Sequence, residues 1–191
     1  RSSDLLTLVL REHTYAKRWR YILDCIGYKV QPDENGITFV SRIASDKDAM
    51  ECISYFEQHY SRMPNAKLML LVSNTVDDIS VAHYYQTYNR FGITVTSESF
   101  LQKHALEGRF RPVETAFFLY FDVSNMPDPV WADKATLHSN YQTKYPISQR
   151  ISTAYQVQTI DETAFLFARS EQFLELMAAR ASQQPISAYM I

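Results

Sequence analysis

Residues 37–74 read ITFVSRIASDKDAMECISYFEQHYSRMPNAKLMLLVSN, and the hydrophobic period changes twice along them. Ile37, Phe39 and Val40 form a short β-branched and aromatic run, which predicts a strand. Ala49, Ile53, Phe56 and Tyr60 then recur at helical spacing. Leu68–Val72 is an unbroken apolar run, as expected of a strand covered on both faces. Ser45 with Asp48 three residues on is a capping-box-like start to the helix, and Pro64 turns the chain toward the second strand. The stretch is therefore a βαβ unit, the building block of parallel sheets. Open sheets of this kind bind ligands beyond the carboxyl ends of their strands. Arg42 and Lys47 fall there, where two cations suit an anionic ligand.

Outward from this unit the alternation continues. On the N-terminal side, Leu5–Leu10 (LLTLVL) predicts a strand. Thr14 is placed to cap a helix striped by Tyr15, Trp19, Ile22 and Ile26, which Gly27 ends. Gln31–Gly36 (QPDENG) is a turn cluster, so residues 1–36 are expected to be a preceding segment or linker. On the C-terminal side a helix is predicted over Asp77–Phe91, with Asp77 as cap, Asp78 as first-turn acid and Gly92 as stop. Ile93–Thr96 is a short strand, Leu101–Glu107 a helix, and Ala116–Phe121 (AFFLYF) the most hydrophobic strand. A turn-rich loop, Asp122–Pro129, precedes a helix over Trp131–Gln142. Pro146–Ile147 and Phe165–Phe167 are short extended segments. Ser170 is expected to cap a last helix through Phe173, Leu174, Met177 and Ala181, with a loose tail from Gln183. This order predicts an α/β fold, a Rossmann-like three-layer domain with a mainly parallel sheet. All of residues 1–191 are expected in one α/β domain, one lobe of a larger protein.

Composition narrows the function. A net charge of −2 argues against a nucleic-acid protein. No apolar stretch approaches the roughly 20 residues that span a bilayer. Cys25 and Cys52 lack any partner at metal-ligand spacing and read as two buried, reduced thiols, which suits the cytoplasm. The chain has only four glycines, scattered, so neither a dinucleotide fingerprint nor a P-loop is present. A bound phosphate would therefore rest on side chains such as Arg42. Asp122-Val123-Ser124 lacks the second carboxylate of a DxD metal site, so no metal and no cofactor is expected. His138 lies near the Asp122–Pro129 loop and is the best acid–base candidate. Tyr84, Tyr85 and Tyr88, with His83, read as packing residues; an exposed aromatic face there would suit a sugar or a protein. No G-x-S-x-G elbow supports hydrolase chemistry.

The motif Ser41-Arg42-Ile43-Ala44-Ser45-Asp46-Lys47, followed by Met63–Val72, Tyr120–Ser124, Tyr145–Ile147 and Thr163–Phe167, resembles the C-terminal, donor-binding lobe of retaining GT-B glycosyltransferases. The resemblance covers roughly residues 37 to 180, and its specific part is Ser41–Lys47. It implies that Arg42 and Lys47 contact the diphosphate of a nucleotide-sugar donor, with Ser124 and Asp128 in the donor loop. The family's paired glutamates are missing: the corresponding places fall near Trp131 and Ser139. Asp122, Ser124, Pro127 and Asp128 echo degenerate members such as the accessory secretory glycosyltransferase-like proteins. Two functions follow as expectations. One is a glycosyltransferase-like domain that binds a nucleotide-sugar in glycoconjugate or glycoprotein biosynthesis. The other is a non-catalytic interaction module of glycoprotein export, with a protein partner or an N-terminal lobe beside it.

Overall fold

The computed structural model describes residues 2–29, 36–61, 63–105, 111–149, 155–160 and 164–191. The βαβ unit is formed as read: β1 (Ile37–Ile43), α3 (Asp46–His59) and β2 (Lys67–Val72), preceded by helices α1 (Ser2–Glu12) and α2 (Tyr15–Cys25). Next come α4 (Asp78–Tyr88), β3 (Ile93–Ser97), α5 (Glu98–Ala105), β4 (Phe117–Asp122) and α6 (Pro129–Ser139). The chain ends through β5 (Ile147–Ser148), β6 (Val157–Ile160), β7 (Leu166–Arg169), a 3-10 turn at Ser170–Gln172, α7 (Phe173–Ala181) and β8 (Ile186–Met190).

The eight strands form one sheet in the order β3-β2-β1-β4-β7-β5-β8-β6. β3, β2, β1 and β4 run parallel, as do β5 and β8. β7 is antiparallel to both β4 and β5, and β6 is antiparallel to β8. The architecture is thus a Rossmann-like, three-layer α/β fold with a mainly parallel sheet.

Strand side chains alternate between the two faces, and each face carries its own core. On one, Phe56 of α3, Tyr84 of α4 and Trp131 of α6 cover Phe39, Leu70 and Leu119. On the other, Leu101 of α5 and Phe173 and Leu176 of α7 cover Met69, Phe118 and Tyr120. Phe39 is fully enclosed, with the Tyr60 ring 4.0 Å and the Phe56 ring 5.7 Å from its own. Burying one such side chain stabilises the fold by about 1.5–3 kcal/mol.

The local signals at helix ends are realised. Ser45 and Asp48 make a reciprocal capping box on α3, Asp77 caps α4, Thr14 caps α2, and Gly27 and Gly92 take positive φ.

Four expectations are corrected. Leu5–Leu10 is helical, inside α1, where Leu6 and Leu10 lie half-buried one turn apart and the helix packs on α6. An apolar run this short cannot be assigned to strand or helix by period alone. Cys25 is exposed at the end of α2, and only Cys52 is buried. Ser170 caps no helix: its amide donates to the Ala116 carbonyl at 3.1 Å and its hydroxyl to that of Thr115, tying the end of β7 to the start of β4. The tail is not loose, since Ile186, Ala188 and Met190 pack into the second core from β8. β6 has no counterpart among the expected strands. Residues 31–35 of the expected linker and the end of the helix expected over Leu101–Glu107 lie outside the described residues.

Candidate functional site

In the parallel part of the sheet the chain reverses direction between β1 and β4. From β1 it steps to β2 and β3 on one side, then returns to β4 on the other. Such a switch point leaves a crevice beyond the carboxyl ends of the two central strands. Arg42, next to last in β1, and Asp122, the last residue of β4, are paired in register there.

Arg42 divides the rim into two clefts. The first, about 620 Å³, lies toward α5 and α7, with Leu71, Leu101 and Tyr120 on its floor and Asn74, Glu98 and Arg180 among its polar groups. The second, about 440 Å³, is polar and lies between the ends of β1, β2 and β4. Ser73, Asp48, Glu51, Asp122 and Ser124 share it with Arg42.

The guanidinium is already engaged. Its Nε meets Glu98 Oε1 at 2.8 Å, and one terminal nitrogen donates to Ser73 Oγ at 3.0 Å. The Asn74 amide donates to Glu98 Oε2 at 3.0 Å, so three donors converge on two side chains, Ser73 and Glu98, at the ends of β2 and β3. The start of α3 is closed in the same way. Asp48 Oδ2 accepts from the amides of Ala44 and Ser45 at 2.9 and 3.0 Å. A helix N-terminus is ordinarily an anion site; here an internal carboxylate fills it.

Of the residues singled out from sequence, Arg42 and Ser124 line one cleft. Ser124 closes a tight turn, its amide and hydroxyl donating to Asp122 Oδ1 at 2.9 and 2.6 Å. Lys47 stands apart from the lining of both clefts, 83% exposed and 3.7 Å from Glu51 one turn on. Asp128 caps α6, accepting from the Val130 amide at 2.7 Å. His138 is not at the clefts. It sits buried in the last turn of α6, near the Tyr155 and Tyr189 rings, and burial with Lys134 nearby lowers its pKa to about 4. The tyrosines of α4 make no open aromatic face: Tyr84 is buried and Tyr88 donates to Asp46 at 2.8 Å, leaving Tyr85 exposed.

Sequence reading missed Ser73, Asn74 and Glu98. Ser73 and Asn74 directly follow the Leu68–Val72 run, so the rule that pointed to Arg42 points to them as well. Glu98 gave no local signal, because only the packing of β3 beside β2 brings it to Arg42. Cys52 lies beneath the site and donates to Ser41 Oγ at 2.9 Å, with burial pushing its thiol up to about 11. A thiol so held is no nucleophile at neutral pH. No group of three or more His, Cys, Asp or Glu among the described residues is placed to hold a metal ion. No helix among them is long and apolar enough to cross a membrane.

No protein-family model and no curated protein sequence matches the chain. Among solved structures, similarity is found to a 4-diphosphocytidyl-2C-methyl-D-erythritol synthase from Anaerococcus prevotii, at 8% identity and a TM-score of 0.46, over 83% of this chain and 87% of that one. A mannosyltransferase from Pyrobaculum calidifontis, solved with GDP-mannose and Mn²⁺, is similar at 11% identity and 0.43, over 78% of this chain and 47% of that one. A cytidylyltransferase from Leptospira borgpetersenii serovar Hardjo-bovis is similar at 12% and 0.44, over 76% and 64%. Likenesses this distant say nothing about which residues bind or react.

Proposed function

We propose that the chain is a glycosyltransferase-like domain that binds the diphosphate of a nucleotide-sugar at the β1–β4 switch point, in glycoconjugate or glycoprotein biosynthesis. The observation that carries this reading is the position of Arg42, at the end of β1, backed by Ser73 and open to clefts on both sides. Arginine's planar fork meets phosphate oxygens bidentately, and it stays charged at any working pH. Ser124 adds a hydroxyl across the polar cleft. Lys47 reaches the ligand by leaving Glu51, since an exposed pair one turn apart is worth only about 0.3–0.5 kcal/mol. Asp128 serves by fixing the start of α6, and with it the loop that carries Ser124. More specifically, the chain is then the donor-binding lobe of a GT-B enzyme, the family that Ser41–Lys47 resembles.

A second reading is favoured by the charges of the site. Glu98 already answers Arg42, and Asp48, Glu51 and Asp122 line the polar cleft. A diphosphate entering there meets more carboxylates than cations. A non-catalytic GT-B-like module of glycoprotein export, bound to a protein partner, keeps the fold without the donor.

Thermal melting of the full chain with UDP, GDP, CDP and their sugar conjugates, with and without Mg²⁺, separates the two. A ligand that binds only the folded state raises the midpoint by mass action. The first reading expects one nucleotide class to do so and Arg42→Ala to remove the rise. No shift with any of them leaves the module.

A further inference from the structure

We propose that α2 is a peripheral anchor that lays its apolar stripe into an anionic phospholipid surface. Tyr15, Trp19 and Ile22 of α2, and Ile26 at its C-cap, follow one another at four-, three- and four-residue steps, the spacing of one helical face. All four are exposed, Tyr15 at 81%, Ile26 at 70%, Trp19 at 60% and Ile22 at 47%. A folded chain rarely leaves so many large apolar groups in one row unless something covers them.

Charge says what covers this row. Lys17, Arg18 and Arg20 stand on the same helix, with Arg11 and Lys29 just before and after it. Residues 1–29 hold six Lys and Arg against three Asp and Glu, a net of +3 in a chain whose total is −2. The remainder is therefore net −5, so the positive charge is concentrated in the N-terminal stretch of sequence that precedes the sheet. An anionic bilayer attracts that end of the molecule and repels the other, which sets an orientation as well as an affinity. The stripe itself is Trp and Tyr with Ile, the mix that settles at the headgroup boundary. A second copy is a poorer occupant, because it would bring the same three cations against one another. This anchor is independent of what the clefts bind.

Tryptophan fluorescence reads the contact directly. The chain has two tryptophans, and Trp131 is buried, so an acrylamide-sensitive signal reports Trp19. The full chain is mixed with phosphatidylcholine vesicles, with and without phosphatidylglycerol. Expected with phosphatidylglycerol are a blue shift, protection from acrylamide, and release by high salt. Lys17→Gln and Arg18→Gln each weaken partitioning by about fivefold. Ile22→Ser with Ile26→Ser removes the blue shift, and because both side chains are exposed the melting midpoint should stay in place. Absence of binding to phosphatidylglycerol vesicles overturns the proposal. So does equal binding to pure phosphatidylcholine, or a lipid-free dimer that shields Trp19 as concentration rises.

Discussion

Arg42 and Glu98 face each other across the end of the parallel sheet, Nε to Oε1 at 2.8 Å, although 55 residues separate them in sequence. Glu98 is the first residue of α5 and lines the first cleft, where it competes with an anionic ligand for the guanidinium. Removing its charge frees the guanidinium without emptying the space. Glu98→Gln should therefore tighten binding of the stabilising nucleoside diphosphate by about tenfold, the scale of one charge-assisted hydrogen bond. Isothermal titration measures it. Unchanged affinity would mean that the ligand does not use Arg42.

His138 sets a pH dependence of stability. Its pKa falls from 6.5 to about 4 in the fold, with burial as the main cause and Lys134 adding to it. Between those values the unfolded chain takes up a proton that the folded one refuses. Its contribution is thus complete above pH 6.5 and lost as pH falls toward 4, at most about 3 kcal/mol in all. His138→Phe should flatten the acid limb of a denaturation series between those pH values. A limb of unchanged slope would assign the acid sensitivity to other groups.

The two cysteines should differ sharply toward a thiol reagent. Cys25 is exposed and Cys52 buried, with its thiol pushed up to about 11. One equivalent should react quickly in the native protein at pH 8 and the second only on unfolding. Mass mapping of the labelled peptide identifies Cys25 as the fast site.

Gly36 is required for space. A Cβ there would lie 2.4 Å from the Asn65 carbonyl oxygen and 2.8 Å from the Asn65 Cβ. Both belong to the turn that leads into β2, and the Gly36 carbonyl accepts from the Phe117 amide at 3.2 Å. Gly36→Ala should cost about 1–3 kcal/mol, as overpacking does, read from urea midpoints at constant slope.

Ser45 caps α3 through the Asp48 amide at 3.2 Å. Ser45→Ala should lower stability by about 1 kcal/mol and leave the Asp48 contacts to the Ala44 and Ser45 amides in place. A much larger loss would show that the β1–α3 loop is held chiefly by that hydroxyl.

What is local could be read from the residues alone. The period changes in 37–74 define β1, α3 and β2, and Ser45, Asp77 and Thr14 mark helix starts, because caps and stripes depend on residues a turn apart. Arg42 was legible too, since the end of a strand in a βαβ unit lies at a known edge. The rest depends on packing between distant segments. Leu5–Leu10 is helical, in a helix that packs on α6, and a short apolar run does not state its own period. Ile186–Met190 is a strand because β5 and β6 supply hydrogen-bond partners on both sides. Glu98 reaches Arg42 through strand order, a relationship between distant segments that no window of sequence contains.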